Sequence, residues 1–214
     1  MKRLLARLKG DSSGRGGSSE FPDTAEAMST EFQDTIEEAA QLALWSQRRV
    51  AIGATAADAA RGASLFEALW GSDRWVAGLS PAERTRLAQH LEFVQVAAGC
   101  EVIGQDEQGD YMVIVLDGRL SVERVQPWGG RSRFGEARPG DMLGEMSLLD
   151  AGTRFCACTT ITPCVLAVLQ VQRLESMIRE EPRLGVALLA ALSRRLSLRL
   201  RQVSVRLSAL MPRA

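Results

Sequence analysis

The spacing of apolar residues changes once along this chain, and that change limits the folds open to it. Up to Leu91 apolar residues recur at three and four; after Phe93 the period becomes two. Glu101-Val102-Ile103, Tyr111-Met112-Val113-Ile114-Val115-Leu116 and Leu120-Ser121-Val122 are short, β-branched runs separated by Gly or Asp turns. Trp128-Gly129-Gly130 marks a hairpin and Pro139-Gly140-Asp141 a tight turn. Phe155 to Val171 holds two more strands broken at Pro163. Many short strands at even spacing predict an antiparallel sandwich or barrel. Pro182 then opens a long helix reaching about Leu210. The fold class read from this pattern is α+β: an antiparallel sandwich or barrel flanked by N-terminal helices and a long C-terminal helix.

The expected organisation has four parts. Residues 1–23 read as a disordered tail and linker: Met1 to Gly10 is short and basic, and Asp11 to Glu20 is rich in Gly and Ser. Residues 24–74 read as a helical region. Phe32, Ile36, Ala39, Ala43 and Val50 fall at helical spacings from Thr24 to Val50, with Arg48 and Arg49 suited to the last turn. Leu65, Phe66, Leu69, Trp70, Trp75 and Val76 supply a second apolar cluster. The strand-rich domain is expected over 75–181, entered through a helix that starts at Ser80-Pro81, where serine accepts from first-turn amides and proline loses no hydrogen bond. Residues 182–214 read as the long C-terminal helix.

Composition narrows the function classes. The 214 residues carry 26 basic and 26 acidic side chains, so no global charge favours a nucleic-acid coat or a membrane surface. The longest apolar run, Leu184 to Leu192, is well short of the ~20 residues that span a bilayer. The N-terminus interleaves charge with its leucines and has no signal-type apolar region. A cytoplasmic protein without a transmembrane segment is expected. Cys100, Cys156, Cys158 and Cys164 are too few for a disulfide scaffold. Cys156 and Cys158 lie two apart on a strand and read as small core residues. His90 is the sole histidine. No nucleophile–base pair, paired carboxylates or metal-ligand set is apparent, so neither catalytic nor metal residues are expected, and the chain is not expected to be an enzyme.

From Trp75 to Val205 the sequence resembles the cyclic-nucleotide-binding domain family, best known from the catabolite activator protein and the regulatory subunit of protein kinase A. Three stretches carry the resemblance. The first is Leu79-Ser80-Pro81-Ala82-Glu83-Arg84, then Gly99, Gly104-Gln105-Asp106, Asp110 to Val115 and Gly118. The second is Pro139-Gly140-Asp141-Met142-Leu143-Gly144-Glu145-Met146-Ser147-Leu148-Leu149. The third is Arg154, ten positions after Gly144. Gly144 lets the backbone approach a ligand. Glu145 to Leu149 can form a helical turn with free N–H groups toward an anion. Arg154 offers a planar fork for phosphate. The resemblance implies that residues 75–181 form a jelly-roll-like antiparallel β-roll, that Glu145 holds a ribose 2′-OH and Arg154 the cyclic phosphate, and that Gly144, Met146, Ser147 and Cys156 line the same site.

Two positions depart from the family. The residue after the arginine is usually small; here it is Phe155, which can stack on a purine or block the pocket. On the long helix, where the catabolite activator protein has a Thr-Ser pair against adenine, this chain has Arg199-Leu200, with Arg195 one turn earlier. Arginine suits guanine O6 and N7 better than an adenine amino group.

The expectation is a regulatory sensor that takes a cyclic purine nucleotide (cAMP, cGMP or cyclic di-GMP) as ligand, uses no cofactor, and signals through its C-terminal helix to a partner protein yet to be identified. One alternative is a degenerate roll that binds no nucleotide and serves for dimerisation or docking. Another is a regulator acting on DNA through a partner, since the resemblance stops before the helix-turn-helix that such transcription factors carry and no direct DNA-binding domain is expected. Leu189, Leu192, Leu196, Leu200, Val203, Leu207 and Leu210 recur at three and four and form a stripe too long for the roll to cover, which predicts a homodimer paired along this helix.

Overall fold

The computed structural model describes residues 42–210. The elements in chain order are β1 (Leu42–Ala43), α1 (Trp45–Ala51), β2 (Thr55–Ala56), α2 (Ala59–Trp70), α3 (Arg74–Ala77) and α4 (Pro81–Gln89). Then come β3 (Glu92–Val96), β4 (Glu101–Ile103), β5 (Gln108–Gly109), β6 (Tyr111–Asp117), β7 (Leu120–Val125), β8 (Arg131–Ala137) and β9 (Met142–Leu143). The chain continues with α5 (Glu145–Asp150), β10 (Ala157–Thr160), β11 (Cys164–Gln170), α6 (Val171–Glu180) and α7 (Pro182–Leu210).

The strands form a roll of two antiparallel sheets, ordered β4-β10-β7-β8 and β2-β3-β11-β6-β9. Alternation along β6 explains why its sequence is apolar without a break. Tyr111, Val113 and Val115 face the core between the sheets; Met112, Ile114 and Leu116 face the core under the helices. β6 is therefore buried on both faces, and β11 pairs with it from Val165 to Gln170. The helical side is closed by Phe66 and Trp70 of α2, Leu87 of α4, Leu174 and Met177 of α6, and Leu184, Leu188 and Leu192 of α7.

Local signals act as their chemistry dictates. Ser80 and Glu83 form a reciprocal capping box at the start of α4, with Pro81 in the first turn. Pro182 opens α7, which runs to Leu210. β7 and β8 pair through the Trp128-Gly129-Gly130 turn.

The N-terminal reading needs correction. The part of the expected 24–50 helix before Leu42 lies outside the described residues. Within them, Leu42 and Ala43 are not helical but pair in parallel with β5, and the helix begins only at Trp45. The helical phase inferred from Phe32 to Ala43 therefore does not carry through, and Val50, expected on the apolar side, is 79% exposed. Trp45 takes the buried place. Its ring meets Tyr111 at 5.0 Å, its indole N–H donates to Glu92, and its backbone N–H donates to Asp110. α6 is an element absent from the sequence reading, packed through Leu174 and Met177 at a spacing of three.

Candidate functional site

The second sheet ends in β9, and the chain turns sharply into α5 at Gly144. Its φ of 77° lies in the left-handed region, and an added Cβ would run into the Arg154 guanidinium. The turn brings three polar side chains into an otherwise apolar interior: Glu145, Ser147 and Arg154 are each under 5% exposed. Ser147 Oγ donates to the Thr153 carbonyl at 3.4 Å, tying α5 to the segment that returns with Arg154. That segment is itself fixed by backbone hydrogen bonds from Asp106 to Arg154 and from Arg154 to Glu107.

Arg154 is the unusual member. It is 2% exposed, and burial draws its pKa down. Its guanidinium donates to the Gly144 carbonyl at 2.6 Å and to the Tyr111 carbonyl, and lies 4.9 Å from the centre of the Tyr111 ring. Among the described residues no carboxylate forms an ion pair with it. A buried cation whose hydrogen bonds go to neutral carbonyls, with the carboxylates of Asp110, Glu107 and Glu145 near but not in contact, is complementary to an incoming anion. Tyr111 also supports it from a buried place, where its own phenol is pushed up to about 12 by burial.

Glu145 is equally buried but has a partner. Arg199 of α7 donates to Glu145 Oε1 at 2.7 Å and, with its other nitrogen, to the Met142 carbonyl at 2.9 Å. Burial raises the Glu145 pKa, and the Arg199 charge opposes that rise.

The structure therefore brings Gly144, Glu145, Ser147, Arg154 and Arg199 together. It places the other candidates elsewhere. Phe155 neither fills the interior nor lies against Arg154's partners. It is 53% exposed, edge-on to Phe134 at 5.7 Å and under the Arg124 guanidinium at 4.6 Å. Met146 is exposed on the outer side of α5. Cys156 is partly buried near Arg124, while Cys158, fully in the core, has its thiol pushed up to about 12 by burial. Arg195 stacks on Trp70 at 3.8 Å and donates to the Gly140 carbonyl, and Asp73 holds Arg194 beside it at 3.2 Å. Arg199, expected to face a base, spends its guanidinium on Glu145 and Met142 instead.

Sequence reasoning missed Tyr111, Asp73 and Arg124. Tyr111 stands in a strand of aliphatic residues, and its hydroxyl needs a buried acceptor, which Val102 supplies. That is the one signal among the three that was readable. Asp73 and Arg124 look like ordinary surface charges until their partners are placed.

Residues 93–181 match the family model described as the cyclic nucleotide-binding domain. A CRP-like cAMP-activated global transcriptional regulator of Mycobacterium tuberculosis is 32% identical over 119 residues, which cover 56% of this chain and 53% of that protein. The cyclic AMP receptor protein of Thermus thermophilus is 28% identical over 119 residues, covering 56% of this chain and 55% of its own length. The chain thus spans about half the length of these curated relatives. The solved cyclic nucleotide-binding domain from Methylobacillus flagellatus KT superposes with a TM-score of 0.69 at 22% identity, over 75% of this chain and 91% of that one, and shares the fold.

Proposed function

We propose that this chain, which carries a cyclic-nucleotide-binding regulatory domain of the catabolite-activator type, is a non-catalytic cytoplasmic sensor that takes up a cyclic purine nucleotide and passes the event through α7 to a partner protein. The observation that carries this reading is Arg154: a buried guanidinium with no carboxylate ion pair among the described residues, at the floor of a turn where glycine leaves room. A cyclic phosphate would replace the Gly144 and Tyr111 carbonyls as its acceptor, exchanging bonds to neutral oxygens for bonds to an anion. Glu145 would accept from the ribose 2′-OH. Ligand-induced motion of Gly144 and α5 reaches α7 directly, because Arg199 bonds both Met142 and Glu145 on either side of Gly144.

The test is calorimetry with cAMP, cGMP and cyclic di-GMP. At least one is expected to bind, and Arg154→Ala should weaken it by about 2–5 kcal/mol, the range for removing one partner of a buried charge pair. Tight binding retained by Arg154→Ala would move the site elsewhere.

A second reading draws on the same side chain. Both terminal nitrogens of Arg154 already donate to carbonyls, as suits a closed roll used only for docking or dimerisation. Absence of binding by all three nucleotides would favour it. Under either reading a homodimer is proposed, since Leu200, Val203 and Leu207 are exposed along one stripe of α7. Sedimentation at micromolar concentration decides it, and a monomer indifferent to added nucleotide refutes it.

A further inference from the structure

Away from the Gly144 turn, α3 and the first turns of α7 enclose an apolar cleft of about 560 Å³. Trp75 and Leu79 line it from α3 and the turn that follows, Val186 and Ala187 from α7. Leu79 and Ala187 are buried, whereas Trp75 is 44% and Val186 63% exposed. The two walls are fixed against each other. Val76 of α3 shares the helical core with Leu184 and Leu188 of α7. Asp73, buried at the start of α3, accepts from the Trp75 backbone N–H at 3.1 Å and from Arg194 of α7 at 3.2 Å. The packing of two helices therefore shapes the cleft without help from a ligand.

Its charge has one sign. Arg74 and Arg183 complete the lining, and among the described residues no carboxylate joins them there. Arg74 lies 5.5 Å from the centre of the Trp75 ring, and among the described residues no carboxylate pairs with it. Arg183 reaches Glu83 at 3.4 Å, an exposed pair of the kind that contributes little. The indoles of Trp45 and Trp70 donate to Glu92 and to the Gly140 carbonyl; among the described residues the Trp75 indole has no such acceptor. A small ligand fits this lining poorly, because no buried polar side chain is there to orient it. Two arginines on a chain of balanced charge are also few for a nucleic-acid backbone. A second α7 is unsuited as well, since from Pro182 to Leu210 it carries arginines and no carboxylate.

We propose that the α3–α7 cleft is the docking site for an acidic amphipathic helix of a partner protein. The helix seats a large apolar side chain against Trp75 and Val186 and sets carboxylates on Arg74 and Arg183. This is helix-in-groove recognition, with tryptophan and arginine, the side chains that dominate interface energies, at its centre and rim. The proposal depends on neither nucleotide uptake nor dimerisation. It adds to the functional reading the chemistry of the partner and the place where it meets α7.

The test is fluorescence anisotropy of labelled helical peptides titrated with the full chain. One peptide carries leucines at three- and four-residue spacing flanked by glutamates; a second has lysine for every glutamate; a third has alanine for every leucine. A labelled polythymidine strand is the fourth probe. The leucine–glutamate peptide is expected to bind most tightly. Trp75→Ala and, separately, Val186→Asp should each weaken it by about tenfold or more. Both positions are exposed, so either variant alone supplies the readout if the other fails to fold. Arg74→Glu with Arg183→Glu should reverse the preference, so that the lysine peptide binds more tightly than the glutamate one. Equal binding of the glutamate and lysine peptides, or binding indifferent to the folded variants, overturns the proposal. So does a polythymidine strand that binds more tightly than the peptide and is lost in the same variants. Sedimentation gives the last outcome: a wild-type dimer that Trp75→Ala dissociates assigns the cleft to a second copy and also overturns the proposal. Each of these results leaves the Arg154 site untouched, and failure of nucleotide binding leaves the cleft untouched.

Discussion

The two halves of α7 have similar sequences and different fates. From Pro182 to Arg199 the helix lays Leu184, Leu188 and Leu192 into the core, and Arg194, Arg195 and Arg199 each find a partner on the roll or its helices. From Leu200 onward Leu200, Val203 and Leu207 recur at three and four, Arg201 and Arg206 again supply positive charge, and all are exposed. An apolar stripe with interleaved arginines does not by itself say whether it is buried. What differs is the surface opposite. Trp70, Asp73 and the Gly140 turn face the first half, and the roll has ended before the second.

The largest test of this contrast is in the core. Leu192→Ala should destabilise the protein by about 2–5 kcal/mol in urea unfolding, through lost burial and the cavity left behind. The same truncation at Leu207 should stay within ~0.5 kcal/mol in dilute solution. Equal costs would erase the distinction between the halves.

A second test sits at the boundary. Glu145 has its pKa raised by burial from the ordinary 4.5. Between 4.5 and the raised value the folded chain keeps a proton that the unfolded chain has released, so this group makes stability fall as pH climbs through that window. Glu145→Gln should flatten that part of the stability–pH curve relative to wild type. An unchanged curve would mean that Arg199 holds the carboxylate ionised without strain.

The smallest effect on folding is expected in the free half. Val203→Asp with Leu207→Asp should leave the unfolding midpoint of the monomer nearly unchanged, since both side chains are already in water. The pair should abolish any dimer seen by sedimentation, because four carboxylates would enter one apolar seam. A large loss of monomer stability would show that this half is covered after all.

The strand pattern was legible because alternation, turn glycines and the Ser80-Pro81 cap are short-range signals. The order Gly144-Glu145 followed by Arg154 likewise points to a site on sequence grounds, and the structure does gather these three residues. The N-terminal phase failed for a related reason. Leu42 and Ala43 were taken up by pairing with β5, and a helical spacing that crosses such a pairing loses its register. Phe155 could not be placed from alternation, because the segment before β10 is irregular rather than extended in a sheet.

By itself the sequence determined the strand-rich stretch after Phe93, the helix starts at Pro81 and Pro182, and which polar residues follow the tight turn at Gly144. Those outcomes depend on neighbours a few residues apart. Only the tertiary structure decided that Arg199 meets Glu145 across 54 positions, that Arg195 lies on Trp70 across the helix interface, and that α7 runs free after Arg199. Such pairings exist only once the roll has closed. A guanidinium reaches a carboxylate from α7 because two sheets and three helices fix the distance between them, and nothing in the local spacing of arginines carries that distance.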